Sequence, residues 1–168
     1  AQTTDPMKVV KELAPVSVTE KTDGRFIVDF GQNLTGWMRF SVRGERGQTV
    51  RLRYAESLDE NGELFTANLR SAKAEGLYTL RGGERETYEP AFTYYGFRFV
   101  EVSGYPGQCD PSDFTACMVS DDMRTVGSFK TSDELLNRIY RNAWWGIAGN
   151  YKGMPVDCPQ RNEKQPWL

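Results

Sequence analysis

Histidine is absent from the 168-residue chain. That removes Ser–His–Asp catalysis, Cys–His catalysis and any His-ligated zinc site from what these residues can do alone. Cysteine is scarce. Cys109, Cys117 and Cys158 are odd in number and form no C-x-x-C pair. Isolated buried thiols are therefore expected rather than a disulfide framework. An excess of basic charge is also missing. Lysine plus arginine total 21 against 23 aspartates and glutamates, a net charge of −2. Neither nucleic acid nor an anionic membrane is then an expected partner. No apolar run approaches membrane-spanning length, and Ala1-Gln2-Thr3-Thr4-Asp5-Pro6 has no basic-then-apolar leader pattern. The compartment stays open, because a mature protein or an internal piece would both read this way. For proton transfer there remain carboxylates, lysines, tyrosines and thiols.

What is present is globular in composition, 39% hydrophobic and 26% charged, which excludes disorder. The length suits one domain, or one domain and a piece of another. Up to about residue 120 the runs are short, β-branched and aromatic, between turn signals. Val16–Thr19, Arg25–Phe30 and Trp37–Val42 read as strands, the last with Met38, Phe40 and Val42 on one face. Gly44-Glu45-Arg46-Gly47 reads as a four-residue hairpin loop. In Thr49–Glu56, Val50, Leu52 and Tyr54 alternate with Arg51 and Arg53, the pattern of a half-buried antiparallel strand with a solvated face. Leu77–Leu80, Glu86–Glu89, Phe97–Val102 and Phe114–Val119 continue the series. The segment between Asn61 and Gly76 reads as a loop with one helical turn. This spacing predicts an antiparallel β-sandwich. Trp37, Tyr94 and Tyr95 could stack on a sugar ring, but aromatic residues fill cores more often, and a core role is expected.

After Gly127 the period changes from two to 3.6. Thr131-Ser132-Asp133-Glu134 matches a capping box. Leu135, Leu136, Ile139, Tyr140, Ala143, Trp144 and Ile147 follow at helical spacing, predicting one long helix over 132–150. Its apolar stripe is wide. It is expected to pack on its own sandwich, to self-associate with a second copy, or to begin an all-helical domain. The chain closes with Asp157-Cys158-Pro159-Gln160-Arg161-Asn162-Glu163 and Trp167. Carboxylates that accept hydroxyl hydrogen bonds or move protons, an arginine donor and a stacking tryptophan are the residue types of sugar sites. A charged flexible tail is the other reading of the same composition.

Three segments resemble the bacterial α-L-rhamnosidases, inverting glycoside hydrolases with a six-hairpin α/α-barrel catalytic domain. They are Asp29-Phe30-Gly31-Gln32-Asn33-Leu34-Thr35-Gly36-Trp37, then Arg53–Glu56 with Asn68–Lys73 and Tyr94–Val100, and Asp157–Glu163. The resemblance implies a concanavalin-like, jelly-roll type β-sandwich over 1–125. It implies a linker and the first helix of a truncated α/α barrel over 126–168. It implies that Glu163 is the general acid and that Asp157, Arg161 and Trp167 bind the sugar, with no metal or cofactor. The substrates implied are glycosides carrying terminal rhamnose, and the general base is expected outside the chain. The piece alone is then expected to be inactive, with Glu163 exposed and without a partner base. Asn162 departs from the family pattern, where aspartate is usual, and Lys164-Gln165-Pro166 departs from the common R-L-G. A non-catalytic carbohydrate-binding or bracing sandwich is the alternative.

Overall fold

The computed structural model describes residues 3–161 and 163–165. Strand β3 (Phe26–Val42) organises it, and its 17 residues span what the sequence divides into two strands. The first half of β3 pairs with β2 (Ser17–Glu20) on one side and β7 (Tyr95–Ser103) on the other. The second half pairs with β8 (Phe114–Asp121) and β6 (Glu86–Tyr88). The register against β7 shifts between Asp29 and Leu34. Gly31 lies in that stretch at φ 70°, its N–H donated to Asp29 Oδ1 at 2.6 Å. Such an irregularity bends a strand without ending it, so one strand serves two layers. Gly31, just past the end of the first expected strand, lies in the bend itself.

β4 (Thr49–Ala55) lies between β7 and β5 (Glu75–Thr79), and β1 (Met7–Leu13) pairs with β8 at the far edge. The order is β1-β8-β3-β7-β4-β5, and the pairings are antiparallel. Gly44–Gly47 therefore does not close a hairpin. β4 pairs with β7 and β5, so this turn carries the chain from one layer to the other. The sheet curls until its inner faces meet. Phe30, Met38, Phe40, Val42, Val50, Leu52, Tyr54, Phe97, Val100 and Phe114 share one core. Each such side chain stabilises the fold by about 1.5–3 kcal/mol when taken from water. Tyr95 stacks on Tyr54 with ring centroids 4.1 Å apart, the expected core role.

A smaller cluster forms on the outer face of the same strands. Ile27, Ala55 and Phe99 are covered by Leu64, with Leu58 beside them. The loop that supplies this cover carries the expected single turn, a 3₁₀ turn at Ala67–Leu69. Burial of Leu69 anchors the loop and sets Asn68 and Arg70 at its rim.

Helix α1 (Glu134–Asn150) starts one residue after Asp133, whose carboxylate accepts the Leu135 N–H at 2.8 Å. The capping box expected from Thr131 does not form. Thr131 Oγ1 makes a turn with Asp133 instead, and Glu134 pairs with Arg141. A carboxylate in the capping position adds charge against the helix dipole, which a hydroxyl cannot. Only the end of the helix docks. Ala148 and Gly149 are buried, and a Cβ at Gly149 would stand 3.1 Å from Thr35 Oγ1. Leu135, Leu136, Ile139, Tyr140, Trp144 and Ile147 stay exposed. These stripe residues thus do not pack on the sandwich, one of the three outcomes expected of them; Trp145, Ala148 and Gly149 do. Among the described residues no helix is long and apolar enough to cross a membrane.

Candidate functional site

Beyond α1 the chain turns back on itself. Val156 N–H donates to Asn150 C=O at 2.7 Å, continuing from the helix end. Asp157 N–H then donates to Gln165 C=O at 3.1 Å, and Cys158 N–H to Glu163 C=O at 3.2 Å. Those two backbone bonds close a tight loop through Pro159. They bring together side chains that the sequence separates by six positions. Carboxylate oxygens of Asp157 and Glu163 and the Cys158 sulfur lie within 4.8 Å of one another. Arg161 Nη2 sits 3.1 Å from Glu163 Oε2 and 2.6 Å from Cys158 Sγ. Cys158 donates its thiol proton to Asp157 Oδ2 at 3.0 Å. The structure thus assembles Asp157, Arg161 and Glu163; Trp167 lies outside the described residues.

Three contacts hold the loop against the sandwich. Gly96 in β7 lets the chain approach closely, since a Cβ there would stand 2.9 Å from the Gln160 backbone nitrogen. Lys164 Nζ donates to Tyr94 C=O at 2.7 Å and lies 4.0 Å from the centre of the Tyr94 ring. Arg70 Nη1 donates to Glu163 Oε1 at 2.6 Å. Glu163 is therefore only partly exposed, where full exposure is expected from the sequence. Two guanidinium groups hold its two oxygens, one from the loop and one from the sandwich. Tyr94 serves as a platform for Lys164 rather than as core, and Trp37 donates Nε1–H to Glu89.

A cleft of about 470 Å³ opens where β3, α1 and the loop meet. Asn33, Glu56, Asn150 and Asp157 are among its polar walls, and Trp145 is apolar wall. Glu56 accepts from Asn33 Nδ2 at 2.9 Å and from Asn68 Nδ2 at 3.3 Å, which fixes its carboxylate. Burial pushes the Cys158 thiol up and the Lys164 ammonium down, while the Cys158 sulfur raises Arg161. Lys152 is pushed down to about 8 by burial, with Asp121 opposing. A cation at Asp157, Cys158 and Glu163 would have to displace both guanidinium groups, so this donor set fits a hydroxyl ligand better than a metal. The sequence reading gave no role to Asn33, Glu56, Asn68 or Arg70. They lie within the first two resembling segments, and polar residues at strand ends and loop rims were the available signal.

The fold is a curled antiparallel sandwich with a carboxylate–arginine cluster at its junction with a helix, and comparison with known proteins gives its class as a concanavalin-like domain. The family model described as the bacterial alpha-L-rhamnosidase concanavalin-like domain matches residues 19–120, and that of the 6 hairpin glycosidase domain matches 124–168. The chain belongs to the bacterial α-L-rhamnosidases. It is 44% identical over 167 residues to an alpha-L-rhamnosidase of Streptomyces avermitilis, covering 99% of this chain and 16% of that protein. An alpha-L-rhamnosidase of Alteromonas is 34% identical, over 96% of this chain and 18% of that protein. The alpha-L-rhamnosidase structure from Dictyoglumus thermophilum superposes with a TM-score of 0.96 at 39% identity, covering 99% of this chain and 19% of that one. The Streptomyces avermitilis enzyme complexed with L-rhamnose gives 0.94 at 44% identity, over 98% of this chain and 16% of that one. The chain thus spans less than a fifth of the length of these relatives.

Proposed function

We propose that this chain is the sandwich and barrel entry of an α-L-rhamnosidase that releases terminal α-L-rhamnosyl residues with inversion. Residues 1–125 form the sandwich in this reading, and 126–168 the linker and first barrel helix. Glu163 is the general acid, Asp157 binds rhamnose hydroxyls, and Arg161 and Trp167 line the pocket. The observation that carries the reading is the loop that sets Glu163 beside Asp157, itself in the wall of a sugar-sized cleft. The relative whose structure holds L-rhamnose supports the choice of sugar.

Inverting hydrolysis needs two carboxyl groups about 6.5–9.5 Å apart, so that a water fits between one of them and the anomeric carbon. Asp157 and Glu163 oxygens lie within 4.8 Å. That is too close for Asp157 to be the water-activating base, and it suits Asp157 to a hydroxyl of the same sugar whose leaving oxygen Glu163 protonates. The base then comes from a part of the enzyme other than this loop. It follows that the 168 residues alone bind sugar without turning it over.

Turnover of an aryl α-L-rhamnoside by the isolated chain at the rate of a whole relative would contradict this. In the parent protein, Glu163→Gln is expected to abolish cleavage of natural glycosides while leaving the fold intact. The alternative, a sandwich that binds carbohydrate without catalysis, predicts L-rhamnose binding that survives deletion from Thr131 onward. Asp157 in the cleft wall favours the enzymatic reading, because that deletion removes it.

A further inference from the structure

A second cleft, of about 410 Å³, has Arg70 in its wall. Its charged walls are Arg51, Arg53, Arg70, Lys73 and Glu75, four cations against one acid. This imbalance stands out in a chain whose net charge is −2. Period-two alternation puts Arg51 and Arg53 on the outer face of β4, opposite buried Val50, Leu52 and Tyr54. The loop 66–74 brings Arg70 and Lys73 over them. It does so at a backbone cost, because Arg70 and Ala74 both take positive φ, 55° and 45°.

The cations are only partly used. Arg70 spends Nη1 on Glu163, and Arg53 spends Nη1 on buried Glu101 at 3.3 Å. Arg51 gives Nε and Nη2 to Glu75. A guanidinium carries five N–H donors, so several remain for an incoming anion, and Lys73 adds its ammonium. Arg51 and Arg70 are half-exposed or more, at 49% and 66%, and so are open to solution.

The position of this cleft is informative once Glu163 is read as the acid. A general acid stands beside the oxygen that joins the sugar to its leaving group. Glu163 touches one wall residue of each cleft: its carboxylate lies within 4.8 Å of Asp157, which lines the first, and 2.6 Å from Arg70, which lines the basic one. If the first takes the rhamnosyl unit, the second faces the group that leaves.

We propose that the basic cleft is the leaving-group subsite and that it receives an anionic sugar residue, one bearing a carboxylate or a sulfate ester. The proposal rests on the reading of Glu163 given above. Arg70 would then serve two groups, the acid and the anion, and hold the glycosidic oxygen near Glu163.

Calorimetric titration of the 168-residue chain tests this. The probes are methyl α-L-rhamnoside, a neutral rhamnosyl-glucose disaccharide, the matching rhamnosyl-glucuronate, a rhamnosyl disaccharide sulfated on its second sugar, and free glucuronate. The acidic disaccharides are expected to bind roughly tenfold tighter than the neutral one at low salt, the equivalent of one net charge-assisted contact. Comparing the carboxylated and sulfated probes tells which anion the cleft prefers. The preference should vanish at about 0.5 M salt, where exposed charges are screened. In the double variant Arg51→Gln, Lys73→Gln the ratio of acidic to neutral affinity should fall to about one. Both side chains are on the surface, so folding is not at stake. Rhamnoside binding with no advantage for acidic probes, or an advantage that the double variant retains, overturns the proposal and leaves the reading of Glu163 standing. Glucuronate binding without any response to rhamnosides keeps the anion site but overturns the sugar reading. Silence from every probe overturns both.

Discussion

Arg70 and Glu163, 93 positions apart in sequence, form an ion pair of 2.6 Å across the junction of sandwich and loop. Their side chains are 66% and 41% exposed. Such a pair contributes less than about 1 kcal/mol to stability, because water screens it. Its effect is on position. Arg70→Gln is therefore expected to leave the thermal midpoint almost unchanged while speeding hydrogen exchange at Asp157, Cys158 and Arg161. Exchange identical to the parent chain at those amides would show that Arg70 does not hold the loop.

Gly96 bears on the same loop through space rather than charge. A methyl at this position would meet Gln160 backbone atoms at 2.9–3.1 Å. Gly96→Ala should cost about 1–3 kcal/mol, the usual range for overpacking. The loop should lift from β7, and alkylation of Cys158 should accelerate. Cys117, fully buried in β8 with its thiol pushed up to about 11 by burial, should stay protected in the folded variant. Equal acceleration at both cysteines would mean that the variant had simply unfolded.

Acid stability should report Glu86. Its carboxylate is buried and accepts from Tyr78 Oη, from the Gly82 and Arg81 N–H groups and from the Arg81 guanidinium. The Tyr78 hydroxyl leads these in pulling it from the ordinary 4.5 down to about 2. Between those values the unfolded chain binds a proton that the folded chain refuses, so folding stability rises with pH. The contribution is complete above about pH 4.5 and disappears as pH falls through about 2. Urea titrations over this window should show a steeper decline for the parent chain than for Glu86→Gln. Parallel declines would remove Glu86 from the acid response.

The open stripe of α1 gives the fourth expectation. Leu135, Leu136, Ile139 and Ile147 are 45–63% exposed on one helix. Exposed apolar surface of this kind finds a partner, and for the isolated chain the available partner is a second copy. Sedimentation should show concentration-dependent dimers that Ile139→Glu converts to monomers. A monomer at every concentration would count against it.

Much of the fold was legible in advance. Period-two alternation is a local property, so Met38, Phe40 and Val42, and likewise Val50, Leu52 and Tyr54, were assigned their buried faces correctly. The helix was legible for the same reason, and its end at Asn150 matched. What misled were signals with two physical outcomes. The strand expected to end at Phe30 runs on through Gly31 as a bend, because β7 pairs with β3 on both sides of it. Gly44 and Gly47 read as a hairpin, yet which strands pair is decided by the layers. The capping box puts the hydroxyl of Thr131 at the cap, yet the charged Asp133 takes that place. Strand β1 escaped notice because its residues are mostly exposed and carry little hydrophobic alternation.

By itself the sequence determined the family resemblance and narrowed the groups available for proton transfer. With no histidine, proton transfer falls to groups such as carboxylates, and the Asp157–Glu163 segment carries the resemblance. The tertiary structure alone decided which groups meet Glu163. Asp157 reaches it through backbone bonds that close a loop, and Arg70 through a sandwich loop anchored by buried Leu69. Neither contact has a period or a spacing that could be read along the chain. The first exists because backbone hydrogen bonds close the loop, the second because burying Leu69 fixes the polar residues beside it.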